Sequence, residues 1–211
     1  MKIALMNEFS QAAKNPIILN ELKSATEKYG HTVFNVGMNS DNDNKLTYVH
    51  LGIIGAILLN SKAVDFVIAG CGTGQGALMA LNAFPGVNCG YCLDPTDAYL
   101  FAQVNNGNAL SLAFAKGFGW GAELNARYMF EKAFEGEKGL GYPPERRESQ
   151  NANAVILNNM KNAAAKPLIE SLKSIDQTLV KDAIKGERFK ECLFNNSKDA
   201  ELTNYIKSLL S

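Results

Sequence analysis

Through the first two thirds of the chain, short apolar runs alternate with stretches of helical spacing. Residues 2–6 read as a buried strand, and Pro16 then opens a helix whose Ile17, Ile18, Leu22 and Ala25 recur at helical spacing until Gly30 stops it. Residues 31–36, β-branched and aromatic, read as a second strand, and 39–45 as a polar loop. Thr47 is placed to cap a helix reaching Leu59. Residues 65–69 form a third strand that runs into a glycine-rich turn, followed by a short helix ending near Phe84. Pro85-Gly86 turns the chain into a strand over 87–92, a helix is expected over 95–104, a fifth strand over 109–113 and an amphipathic helix over 120–134. Near-continuous apolar strands alternating with helices predict an α/β fold, a doubly wound parallel five-stranded sheet with helices on both faces.

The pattern changes after Gly136. Residues 136–148 are rich in Gly, Pro and charge and read as a surface loop; beyond them only helical patterns remain, over 149–173, 175–186 and 198–210. The expected organisation is an α/β domain over 1–148 and a helical C-terminal extension over 149–211, packed on that domain or on a partner subunit. The 211 residues carry 21 basic and 21 acidic side chains, a balance that argues against a nucleic-acid surface. The longest apolar stretch, 51–59, is too short to span a bilayer, and the N-terminus lacks the long apolar region of a signal peptide. Four scattered cysteines suit a reducing compartment, so a cytoplasmic protein is expected.

The most informative segment is Gly70-Cys71-Gly72-Thr73-Gly74-Gln75-Gly76. Glycines at the carboxyl end of a strand let backbone N–H groups converge on one point, and the following helix adds its positive end. Three readings compete. Gly72-x-Gly74-x-x-Ala77 satisfies a loose dinucleotide fingerprint, but it follows the third strand and lacks a strand-end acid for the ribose. The turn also reads as backbone geometry alone. In the third reading Cys71, among N–H donors and facing a helix N-terminus, is available as a thiolate, either nucleophile or base. The chain has only His31 and His50 to partner a nucleophile.

Cys71-Gly-Thr-Gly-x-Gly76, a helix, Asn82-Ala83-x-Pro85-Gly86-Val87 and a strand ending in Cys92 together resemble the ribose-5-phosphate isomerase B and galactose-6-phosphate isomerase family. The likeness runs from Lys2 to about Asn151 and is densest over 65–110. It implies a flavodoxin-like sheet, an aldose–ketose isomerase of a small sugar phosphate working through an enediolate, no cofactor or metal, and a homodimer or dimer of dimers with active sites at the subunit interface. By the same resemblance Cys71 is the base that shuttles a proton between C1 and C2. Gly72, Thr73, Gly74, Gln75 and Gly76 form the anion hole, with the Thr73 hydroxyl a donor. Tyr48 and Asn105 contact the sugar, and Arg146 and Arg147 bind phosphate, for which a guanidinium is suited.

Two positions depart from the family pattern. Its Asp-His pair after the first strand is Glu8-Phe9 here, which keeps a carboxylate for a sugar hydroxyl and loses a phosphate ligand. Its ring-opening histidine is Val104, so either His50 or Glu8 opens the ring or the substrate is already acyclic. Because a degenerate site can bind without reacting, a non-catalytic sugar-phosphate sensor or partner subunit is the alternative, and a nucleotide-binding module a third. Elsewhere, the Cys89-Gly-Tyr-Cys92 spacing lies within a strand and reads as packing, Cys192 as inert, Asp41 and Asp43 as solvated, and Phe114, Phe118 and Trp120 as core.

Overall fold

The computed structural model describes residues 1–38, 43, 45–117 and 120–211, which leaves Asp41 and Phe118 outside the described residues. Five parallel strands, β1 (Lys2–Asn7), β2 (Thr32–Asn35), β3 (Phe66–Cys71), β4 (Cys89–Cys92) and β5 (Ala109–Ala113), form one sheet in the order β2-β1-β3-β5-β4. This is a flavodoxin-like arrangement with its last two strands exchanged relative to the simplest order. Successive side chains on a strand point to opposite faces, and here both faces are covered. Ile3, Leu5, Phe66, Ile68, Leu110 and Leu112 face one core with helices α1 (Asn15–Thr26), α4 (Pro95–Leu100) and α5 (Ala122–Phe134). Ala4, Met6, Val67 and Ala69 face the other, with α2 (Tyr48–Asn60) and α3 (Gln75–Asn82).

Helix α2 is buried on nearly every side from His50 to Leu59. The reason lies in the C-terminal part of the chain. After α6 (Arg147–Ala164) come α7 (Leu168–Ser174), α8 (Gln177–Ile184), α9 (Glu187–Asn196) and α10 (Ala200–Leu210), and α7 and α8 pack on the side of α2 turned away from the sheet. Leu172, Val180, Ile184, Phe189, Leu193 and Ile206 join the α2 core, each such side chain contributing about 1.5–3 kcal/mol on full burial. A helix between two layers is apolar all round, which accounts for the run at 51–59. Where three helical patterns were expected the chain forms five helices: Pro167 divides the first pattern into α6 and α7, and α9 fills 187–196, a stretch for which no helix was expected. Among the described residues no helix is long and apolar enough to cross a membrane.

Two aromatic side chains expected in the core part company. Phe114 is buried, but Trp120 is 96% exposed, because the chain leaves the sheet edge after Phe114 and α5 starts only at Ala122.

Candidate active site

The chain runs from β1 to β2 on one side and to β3 on the other, so the carboxyl ends of β1 and β3 flank the crevice where doubly wound sheets take ligands. Asn7 pairs with Gly70, and the Glu8 amide donates to the Gly70 carbonyl at 2.9 Å, which sets Glu8 beside Cys71. Both residues are buried. The Glu8 carboxylate accepts the Ser10 hydroxyl at 2.5 Å, and Gln11 donates to Ser10. Lys14 donates to the Gln11 side-chain oxygen at 2.8 Å and to the Phe114 carbonyl at 2.6 Å. A polar chain thus joins Glu8 to the end of β5.

The turn after β3 owes its shape to where its carbonyls go. Cys71 O accepts from Phe114 N at 2.9 Å, Gly72 O from Ala115 N at 3.0 Å, Thr73 O from the Tyr91 hydroxyl at 3.0 Å and Gly74 O from the Ser111 hydroxyl at 2.6 Å. All four are held from β4, β5 and the segment just after β5. The amides of Gly72, Thr73 and Gly74 find no acceptor among the described residues. Gly74 has φ +77°, left-handed backbone that favours glycine. The result is a nest of N–H groups at the start of α3, an arrangement that binds anions. Thr73 Oγ1 accepts from Gln75 N at 3.3 Å, so the Thr73 proton is free to be donated while the Gln75 amide is already used.

Tyr48, the first residue of α2, lies over the turn: a Cβ on Gly76 would come within 2.8 Å of its ring. Thr47 and His50 close that helix reciprocally, and His50 Nδ1 accepts the Thr47 amide at 2.9 Å. Burial lowers the His50 pKa, nearby Lys185 adds to this and Asp182 opposes it. That places His50 in the frame of α2.

The remaining expected site residues stand elsewhere. Asn105 ends a π-helical turn before β5, at the opposite, amino edge of the sheet. Gly139 N donates to Ala102 O, Gly141 N to Gln103 O, and Asn151 to Gly139 O. These bonds fold 136–147 over the turn and bring the start of α6, with Arg146 and Arg147, to the same end. Both guanidinium groups are exposed and make no hydrogen bond or ion pair among the described residues. Five strand residues at roughly 3.3 Å each separate that end from Cys71. One chain therefore carries two groups of candidate residues, and it does not bring them together.

Other signals settle as structure. Asn82, from the likeness motif, bonds both N and O of Cys89 and splices α3 to β4. Burial pushes the Cys89 thiol up and those of Cys92 and Cys192 up to about 12. A cavity of about 690 Å³ between Lys45 and the α8–α9 corner is lined by Arg188, which pairs with Asp43, and by Lys185, which pairs with Asp182. Among the described residues no group of three His, Cys, Asp or Glu could hold a metal ion. Ser10, Gln11, Lys14, Tyr91 and Ser111 were not expected near the site; the one signal was a lone serine in the apolar run 109–113.

Comparison with known proteins places this arrangement. The family profile described as Ribose/Galactose Isomerase matches residues 3–136, well over half the chain. The chain belongs to the ribose/galactose isomerase family. It is accordingly an intramolecular oxidoreductase of the isomerase class, as the resemblance implied. A second profile, described as Ribose-5-phosphate isomerase, matches residues 163–209 of this isomerase. It is similar to a ribose-5-phosphate isomerase from Vibrio parahaemolyticus, 63% identical over 99% of both chains with a TM-score of 0.97. It is also similar to a 4-deoxy-L-threo-5-hexosulose-uronate ketol-isomerase complexed with a tartrate, 56% identical over 100% of this chain and 99% of that one, TM-score 0.96. The type B ribose 5-phosphate isomerase from Leishmania infantum shares the fold at 19% identity, covering 78% of the isomerase and 98% of its own chain, TM-score 0.65. No curated protein matches.

Proposed function

We propose that this isomerase interconverts the aldehyde and ketone forms of a small open-chain sugar acid, with Cys71 as the base, in a site completed by a second copy of the chain. One observation carries the reading: Cys71 and the amide nest stand at one edge of the sheet, while the side chains of Asn105, Arg146 and Arg147 stand at the other without a partner among the described residues. A two-fold dimer in which one copy's amino edge meets the other's carboxyl edge makes the reciprocal contact as well, so it completes two such sites.

In the reaction the thiolate of Cys71 takes the proton from C2, the C2–H electrons form the C1–C2 double bond and the carbonyl pair moves onto O1. The Gly72–Gly74 amides and the Thr73 hydroxyl stabilise the enediolate. The C1–C2 double-bond pair then takes the proton back from Cys71 at C1, while the O2 proton passes to O1 and its electrons form the C2 carbonyl, which gives the ketone. Arg146 or Arg147 of the second copy binds the substrate carboxylate through paired hydrogen bonds.

An open-chain acid is favoured over a cyclic sugar phosphate by what the chain lacks. Phe9 cannot bind phosphate, and Val104 cannot open a ring. A 4-deoxy-5-hexosulose uronate has neither a 4- nor a 5-hydroxyl with which to close a ring on its aldehyde, so it needs no ring-opening group. The ketol-isomerase named for it is alike over the whole chain. The second reading, a pentose phosphate, is favoured by the name of the Vibrio relative.

The test is turnover of this uronate beside tetrose, pentose and hexose phosphates, wild type against Cys71→Ala. The uronate should give the highest kcat/KM, and the variant should lose ~10³-fold or more in kcat with its melting temperature kept. Activity surviving in Cys71→Ala contradicts the mechanism; a pentose phosphate as best substrate contradicts the substrate.

A further inference from the structure

The four carbonyls of the turn are not held alike. Those of Cys71 and Gly72 continue the backbone ladder with the end of β5, whereas those of Thr73 and Gly74, where the chain leaves the sheet, are held by side chains. Tyr91 and Ser111 are direct partners across β4 and β5, so both side chains rise from the same face of the sheet. Ser111 is completely buried, the one polar side chain in its apolar strand. A lone buried hydroxyl in a strand is costly unless bonded, and its bond goes to Gly74 O at 2.6 Å. Tyr91 gives its hydroxyl to Thr73 O and receives Lys116 Nζ at 3.4 Å, while its ring closes the space beside Gly74, where a Cβ would meet it at 2.6 Å.

A peptide unit has one orientation: with the carbonyl of residue i fixed on one side, the N–H of residue i+1 points to the other. Holding Gly72 O and Thr73 O inward therefore turns the amides of Thr73 and Gly74 outward toward the space in front of Cys71. Gly74 O also receives the first bond of α3, from Leu78 N at 3.0 Å, so Ser111 fixes the start of the helix whose positive end faces that space. We infer that Tyr91 and Ser111 are positioning residues for the reaction: they clamp the turn so that its donors meet charge as it develops on the enediolate oxygens. Neither touches the substrate. The inference rests on the proposed enediolate chemistry, in which preorganised donors act chiefly in the transition state.

The test uses full-length Tyr91→Phe, which keeps the ring against Gly74 and removes one hydroxyl, and Ser111→Ala. Steady-state kcat and KM are measured on the best substrate of the panel, together with melting temperature and folded fraction. Each variant should lose ~10-fold in kcat per folded molecule with KM changed less than ~3-fold, because the missing bond matters most when charge develops. A loss accounted for by folded fraction, a change in KM alone, or unchanged kinetics in both variants overturns the clamp. A wild type that turns over no member of the panel overturns the functional reading and the clamp with it; an active wild type with unaffected variants overturns the clamp alone.

Discussion

The ring of Tyr48 rests on the backbone of Gly76, so closely that an added Cβ would stand 2.8 Å from one ring carbon and 3.0 Å from another. The first residue of α2 is thereby fixed against the first turn of α3, over the amide nest. Gly76→Ala should lower the melting temperature, because the added Cβ overlaps the near end of the Tyr48 ring and the cost of that overlap outweighs alanine's better helix propensity. It should also lower kcat/KM by about 10-fold or more, because the tyrosine must move. Thermal melts and kinetics on the same preparation check both halves.

His50 ties that geometry to pH. Its neutral ring accepts the Thr47 amide, and burial lowers its pKa from 6.5, so the unfolded chain takes the proton first as pH falls. Stability present above 6.5 should drop as pH descends through the lowered folded value. His31, also lowered by burial and by the N-terminal ammonium beside it, contributes in the same direction. His50→Gln and His31→Gln should each remove part of the slope of melting temperature against pH, and a slope unchanged in both would contradict the assignment.

Phe114 and Trp120 lie six positions apart and should respond oppositely. Phe114→Ala empties a fully enclosed site and should cost ~3–5 kcal/mol in denaturant unfolding. Trp120→Ala removes a side chain that touches little and should stay within ~0.5 kcal/mol.

That pair shows where the sequence is legible. All five strands fall on the runs expected for them, because a strand covered on both faces is apolar at most of its positions. An aromatic next to an amphipathic helix carries no such constraint, and Trp120 read as core when it is surface. The strand order was not legible, since parallel crossovers do not specify which edge a strand joins. Within the candidate site, Cys71 and its glycines were visible because a turn of that shape needs those residues. Tyr91 and Ser111 were hidden because their role depends on the register of two strands, and Lys14 because it acts from across the sheet edge.

Helix α6 leaves Val155, Ile156, Leu157 and Met160 more than half exposed, and no residue of it is buried. Grouped apolar side chains of this kind mark an interaction surface, and continuity with Arg147 at its start fits a second copy. Ile156→Glu combined with Met160→Glu should yield a folded monomer by analytical ultracentrifugation and remove activity; an active monomer would contradict a shared site.

The central claim is that the catalytic thiol and the arginines meet only across two copies. Cys71→Ala and the double variant Arg146→Ala/Arg147→Ala are each expected to be inactive. Unfolded together and refolded as a mixture, they should regain about one quarter of wild-type activity, because half the dimers are mixed and each mixed dimer holds one intact site of two. A mixture as inactive as its components would show that each chain builds its site alone and would contradict the account.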